Sequence, residues 1–280
     1  MLKYVNFELE GEKNMKKIAL VLVLCLCGTT NIQVYALEMS DIVNYNNILI
    51  TKKEYYNLLN LGFSENEILN MSLDEYNFNK DLKGLVVSQN TIYLDEKNNV
   101  LNNSISAFGI QAGYIETAAK QMTTTIISFS NQYRYKISLE WKKIPSTRSY
   151  DIIGIGTDNN VKIASALTFQ QNFCYSSNNC SSSIVRTEKS TSTGATATFQ
   201  IPTQTIVSLS SYLYFDVSKN TNSIITQLND YRDYYHPTKS ISKSNANNHS
   251  INRGGIILDS SISNYYDSID TAKATWTGSW

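Results

Sequence analysis

Along residues 132–142 apolar and polar side chains alternate without a break. Tyr133, Tyr135, Ile137, Leu139 and Trp141 fall on one face, and Arg134, Lys136, Ser138, Glu140 and Lys142 fall on the other. A period of two fits a half-buried β-strand. The same reading predicts strands over residues 84–94, 114–129 with a break near Lys120, 149–156, 161–169, 196–201, 206–217, 224–228, 255–258 and 272–280. Many short strands separated by polar turns predict a mainly β fold, an antiparallel β-sandwich or barrel-like domain. Asp158-Asn159-Asn160 separates two of these strands at hairpin length, and Asn and Asp tolerate the backbone angles of tight turns. Gly154-Ile155-Gly156 lacks the third glycine and the following helix of a dinucleotide fingerprint, so close backbone packing or a bulge explains it better.

Ahead of the strands the pattern changes. Thr51 with Glu54, Ser64 with Glu67 and Ser72 with Glu75 each read as a capping box, and apolar residues flank each cap at the staple positions. Gly62 follows Leu58, Leu59 and Leu61 where a left-handed residue would end the first helix. Three short helices are predicted, with a small core of Tyr55, Leu58, Leu59, Leu61, Phe63, Ile68, Leu69 and Leu73. So little apolar area does not support independent stability, so the segment is expected to dock on the β domain as an accessory.

At the N-terminus, Lys16 and Lys17 precede the apolar run 18–27 and a more polar stretch ending in Val34-Tyr35-Ala36. That order describes a secretory signal peptide cleaved after Ala36, and the run is too short for a spanning helix. No small residue precedes Cys25 or Cys27, which argues against a lipid anchor. Codons for Glu10-Gly11-Glu12 can contain a ribosome-binding sequence just before Met15, so residues 1–14 are expected to be untranslated leader. The expected organisation is a signal peptide over 1–36, a three-helix segment over 37–83, a strand and linker over 84–110, and the β domain over 111–280.

Composition narrows the partners. The 24 basic and 24 acidic residues cancel, so no excess of positive charge is present to neutralise nucleic-acid phosphates. Two of the four cysteines leave with the signal. The remaining pair, Cys174 and Cys180, lies in a polar loop of an exported chain, where a disulfide is expected.

Residues 133–141, Ile144-Pro145-Ser146-Thr147-Arg148-Ser149-Tyr150-Asp151-Ile152-Ile153, Gly254-Gly255-Ile256-Ile257-Leu258 and Tyr265-Tyr266-Asp267 resemble a group of exported proteins of low-GC Gram-positive bacteria. Leu61-Gly62-Phe63-Ser64-Glu65-Asn66-Glu67-Ile68 looks like the helical element that precedes the domain in many of them. The resemblance implies export and this domain order, and supplies no catalytic residues.

Signatures of hydrolytic and metal-dependent chemistry are lacking: there is no H-E-x-x-H, no G-x-S-x-G and no phosphate-binding glycine loop. His236 and His249 are the only histidines, and His236 beside Pro237 is the better catalytic candidate. Glu116, Glu140, Asp151, Asp216, Asp230 and Asp233 lie in or near predicted strands and could pair for glycoside hydrolysis. Asp151 and Arg148 flank a strand start, where an ion pair or turn cap is the ordinary role. Tyr231, Tyr234, Tyr235, Tyr265 and Tyr266, with His236, could form an exposed ligand platform. Alternation over residues 191–201 also fits a transmembrane β-strand. The sequence therefore favours a secreted, non-enzymatic module that binds an extracellular glycan or protein, without cofactor or metal. A glycosidase-like hydrolase is the alternative, and a β-pore stands behind both.

Overall fold

The computed structural model describes residues 41–95, 100–106, 118–176, 179–183, 186–266 and 270–280. The expected signal peptide, the N-terminal part of the strand predicted from residue 114, and Glu116 lie outside the described residues.

The chain opens with a ribbon of β1 (Ile42–Val43) and β2 (Leu49–Ile50), followed by helices α1 (Lys52–Asn60), α2 (Glu65–Asn70) and α3 (Leu73–Asn79). Local chemistry sets these helices. Thr51 and Ser64 form the predicted reciprocal capping boxes with Glu54 and Glu67. Gly62, at φ 73°, ends α1 with its N–H on the Leu59 carbonyl and the Phe63 N–H on the Leu58 carbonyl. The third box is only half formed: Ser72 accepts from the Glu75 N–H, but the Glu75 carboxylate accepts from the Tyr212 hydroxyl instead of returning to the cap. Tyr55, Leu58, Leu61, Phe63 and Ile68 are buried as expected, whereas Leu73 is exposed because that face of α3 turns to solvent.

Next come β3 (Leu85–Leu94), β4 (Val100–Ser106), β5 (Lys120–Phe129), β6 (Gln132–Trp141), β7 (Tyr150–Thr157) and β8 (Val161–Ile163). They are followed by β9 (Thr168–Ser176), β10 (Asn179–Ser183), β11 (Arg186–Thr191), β12 (Gly194–Gln200), β13 (Ser208–Lys219) and β14 (Gln227–Tyr235). The short helix α4 (Lys243–Ala246), the hairpin β15 (His249–Asn252) and β16 (Gly255–Leu258), and β17 (Asp270–Thr277) complete the chain.

Two antiparallel sheets carry the architecture. The larger has the order β10-β9-β13-β6-β5-β3-β4, with β8 added beside the end of β13, and the smaller has the order β11-β12-β7-β14-β17. Inward residues from both, among them Tyr135, Ile137, Leu213 and Phe215 from one and Ile153, Ile155, Ala197 and Leu228 from the other, make one apolar core. The result is a β-sandwich preceded by a small helical segment, and among the described residues the sheets do not close into a barrel.

Several boundaries differ from the pattern reading. The polar stretch expected as a connection contains β4, which pairs with β3 at the sheet edge. Residues 161–169 split between β8 and β9. The strand predicted at 224–228 instead runs from 227 to 235. Asp158-Asn159-Asn160 forms no hairpin: its neighbours β7 and β8 belong to different sheets, and the turn carries the chain between them while the Asp158 carboxylate accepts the Asn160 N–H. Cys174 and Cys180 form the expected disulfide, although they occupy facing positions of β9 and β10 and not a loop.

Both outer faces are covered in part. The helices pack on Ile127, Phe129, Tyr212 and Tyr214 of the larger sheet. Over the smaller sheet, α4 and the β15–β16 hairpin bury Ile241, Ala246, Ile251 and Ile256 against Ile152. Gly154 and Gly156 admit that hairpin: a Cβ on Gly156 would stand 2.6 Å from the Asn252 carbonyl oxygen, and one on Gly154 would stand 2.8 Å from the Ile256 side chain. The glycines thus serve close backbone packing. β12, the strand with the membrane-like alternation, is central and covered on both faces, with Ala195, Ala197 and Phe199 inside and Thr196 bonded to His249 outside.

Candidate functional site

The tyrosine and histidine residues proposed as a platform are placed in three different settings. Tyr234 faces the core, fully buried, and its hydroxyl donates to Asp151. The other Asp151 oxygen lies 3.0 Å from Nδ1 of His236, whose ring stands edge-on to Trp141 at 4.9 Å. Tyr266 is buried, donates its hydroxyl to the Tyr150 carbonyl at 3.1 Å and meets the edge of the Tyr235 ring at 5.6 Å. Tyr265 and Tyr235 pack at the margin of that cluster, with the Lys239 ammonium 4.5 Å from the Tyr265 ring. Tyr231 is half-buried on the outer face, 5.3 Å from the Lys273 ammonium. These rings are engaged in packing and do not form one exposed platform, because β14 continues to residue 235 and its alternation sends Tyr234 inward.

Among the described residues, the carboxylates considered for catalysis have structural partners. Asp216 takes Nε of Arg134 at 2.7 Å, and Glu140 takes the Lys142 ammonium at 2.8 Å. Asp230 pairs with Arg232 inside the sandwich and accepts the Ala274 N–H at 2.8 Å, with burial pushing its pKa up to about 6. Asp233 accepts from the Ile256 N–H at 2.7 Å and the Thr271 hydroxyl at 3.0 Å, and burial raises it to about 6 as well. Arg148 does not pair with Asp151. It donates to the carbonyls of Pro145 and Pro202, each at 2.8 Å, and so ties two loops together. Among the described residues, no three His, Cys, Asp or Glu side chains are grouped to hold a metal ion.

A different feature has the form of a binding site. The helical segment covers only part of the larger sheet, and beside it lies a groove of about 480 Å³, within the roughly 300–1,000 Å³ usual for small-ligand clefts. One wall comes from Tyr55, Leu59, Gly62 and Phe63 and from the start of α2. The floor consists of outward side chains of adjacent strands: Gln89 and Thr91 on β3, Gln121, Thr123 and Thr125 on β5, Ser138 and Glu140 on β6, and Ser210 on β13. Strand alternation produces this floor, since Met122 and Ile126 of β5 point into the core.

Hydrogen bonds fix the wall to the floor. Oε1 of Glu67 accepts from the Ser138 hydroxyl at 2.7 Å, while Oε2 accepts from the Lys136 ammonium at 2.6 Å, which also reaches the Gly62 carbonyl at 2.8 Å. Asn66 donates to the Ser210 hydroxyl at 3.3 Å, and the Thr91 and Thr123 hydroxyls lie 3.1 Å apart. The lining includes Glu65, Glu67 and Glu140 and no lysine or arginine, while Lys136 and Lys142, outside the lining, pair with Glu67 and Glu140. Sequence reasoning missed this site because threonine, glutamine and serine carry no motif. The one available signal was the outward alternation of Gln121, Thr123 and Thr125.

No family matches the chain, and no curated protein matches it. Among solved structures, a chain from "Complete structure of manganese lipoxygenase of Gaeumannomyces graminis and partial structure of zonadhesin of Komagataella pastoris" aligns over 69% of this chain and 75% of its own, at 8% identity and a TM-score of 0.26. That score is too low to support an argument on fold or function. Among the described residues no helix is long and apolar enough to cross a membrane.

Proposed function

We propose that the chain is an exported, non-enzymatic module that binds an extracellular ligand, glycan or protein, in the groove between the helical segment and the larger sheet. The observation that carries this reading is the groove itself, a cleft whose polar floor is held by four paired strands and whose wall is hydrogen-bonded to that floor. Rigid support of this kind suits recognition. The disulfide and the expected signal peptide fit export, as does the resemblance to exported proteins of low-GC Gram-positive bacteria. The test is capture from the native extracellular milieu. The mature protein should retain a ligand that the groove-filling variants Gln121→Arg and Thr123→Arg lose while melting like the parent. Equal capture by parent and variants would rule out the groove.

A hydrolytic reading draws on one observation, the contact between Asp151 and His236. A carboxylate on Nδ1 would orient Nε2 to act as a base. Neither residue lines the groove. Turnover of glycoside or ester substrates that is abolished by His236→Gln would favour this second reading over the first.

A further inference from the structure

Resting on the binding reading above, we infer that the groove takes an uncharged oligosaccharide. Three features of the lining point to that class. First, the floor offers a row of hydroxyls and amides across β3, β5 and β6: the Gln89 and Gln121 amides can each donate and accept, the Thr91–Thr123 pair keeps one hydroxyl hydrogen and spare lone pairs, and Ser138, whose hydrogen goes to Glu67, can accept. A sugar hydroxyl has the same dual capacity, so such a floor can satisfy several of them at once. Second, the wall is apolar, formed by half-buried Leu59 with the largely buried rings of Tyr55 and Phe63 packed behind it. A pyranose presents a C–H face on one side and a hydroxyl rim around it, and this groove has one surface suited to each.

Third, the charge selects against acidic sugars. Glu65, Glu67 and Glu140 line the groove with no lining lysine or arginine, and the neighbouring cations Lys136 and Lys142 already hold Glu67 and Glu140. A uronate or phosphate entering the cleft would meet carboxylates with no lining cation to receive it, at a cost that a neutral chain avoids.

The experiment is an array of neutral, uronate-bearing and phosphate-bearing oligosaccharides probed with the mature protein, followed by calorimetric titration of the retained sugars. Parent protein, Gln121→Ala, Thr123→Ala and Gln121→Arg would be compared, with melting temperature as the check on folding. Retention of neutral sugars is expected, with affinity falling about tenfold for each alanine variant, the equivalent of one lost hydrogen bond, and vanishing for Gln121→Arg. Preference for acidic sugars would overturn the ligand class, as would neutral-sugar binding indifferent to all three variants. If no sugar is retained but Gln121→Arg still loses a protein captured from the extracellular milieu, the glycan inference falls while the binding reading stands. If neither assay responds to the groove variants, both fall.

Discussion

The two outer faces of the sandwich are covered by different means. Over the smaller sheet, residues 236–266 seal an apolar seam of Ile152, Ile241, Ile251, Ile256 and Ile262, with His249, Asp233 and Tyr266 among the buried titratable groups beside it. Over the larger sheet the helices bring apolar residues too, but the seam also contains charge: Glu67 on Lys136, Asn79 on Arg134, which also holds Asp216, and Glu75 on Tyr212. Burying an ion pair gains little net stability, while breaking one leaves an uncompensated charge. The apolar seam therefore supplies adhesion, and the charged seam fixes where the helices sit and with them the wall of the groove.

The sharpest way to break that contrast is Lys136→Ala, which strands Glu67 without its cation. It should cost about 3–5 kcal/mol in denaturant unfolding and release the amides of residues 51–79 to hydrogen exchange ahead of the strands. Cutting the apolar seam with Ile256→Ala should cost about 3 kcal/mol and expose residues 241–262, leaving the helices protected.

The pH responses carried by Glu75 and His249 should be opposite in sign. Burial pushes Glu75 up to about 7, with Tyr212 as its hydrogen-bond donor and Glu67, Lys136 and Tyr214 as further neighbours. Its contribution to helix docking is therefore complete below the ordinary carboxylate range and is lost as pH rises through about 7. His249 is lowered to about 4 by burial, and its Nδ1 faces the Ala246 carbonyl at 2.9 Å. Its contribution to the smaller covering is complete above the ordinary histidine range and is lost as pH falls through about 4. Rate-corrected hydrogen exchange between pH 4 and 8 should show residues 51–79 opening on the alkaline side and 246–250, around His249, on the acid side, while β16 loosens on the alkaline side because Asp233, which accepts the Ile256 N–H, is raised to about 6 by burial; Glu75→Gln should flatten only the first. The smallest effect belongs to the exposed cap: Thr51→Ala should cost about 1 kcal/mol, confined to α1.

Much of this architecture was legible in the chain. The period of two over β6 located its core face, and the caps located α1 and α2, because both are short-range effects. The polar face of β6 was not fully legible: Arg134 and Lys136 look like solvent positions until the helices fold over them. Glu67 and Glu75 read as caps for the same reason, since the second role of each depends on a residue of a distant strand. β14 was largely hidden because its inward positions carry Asp230 and Arg232, charges that erase the alternation. The burial of Tyr234 and Tyr266 was not legible, because clustering in sequence says nothing about which rings point inward.

The central claim is that the groove beside the helices is the ligand site. It is tested most directly by hydrogen exchange of the mature protein with and without neutral gluco- and manno-oligosaccharides. Protection should appear over residues 62–67, 121–125 and 138–140. Protection confined to 231–236 and 265–266, with the groove unchanged, would contradict the account.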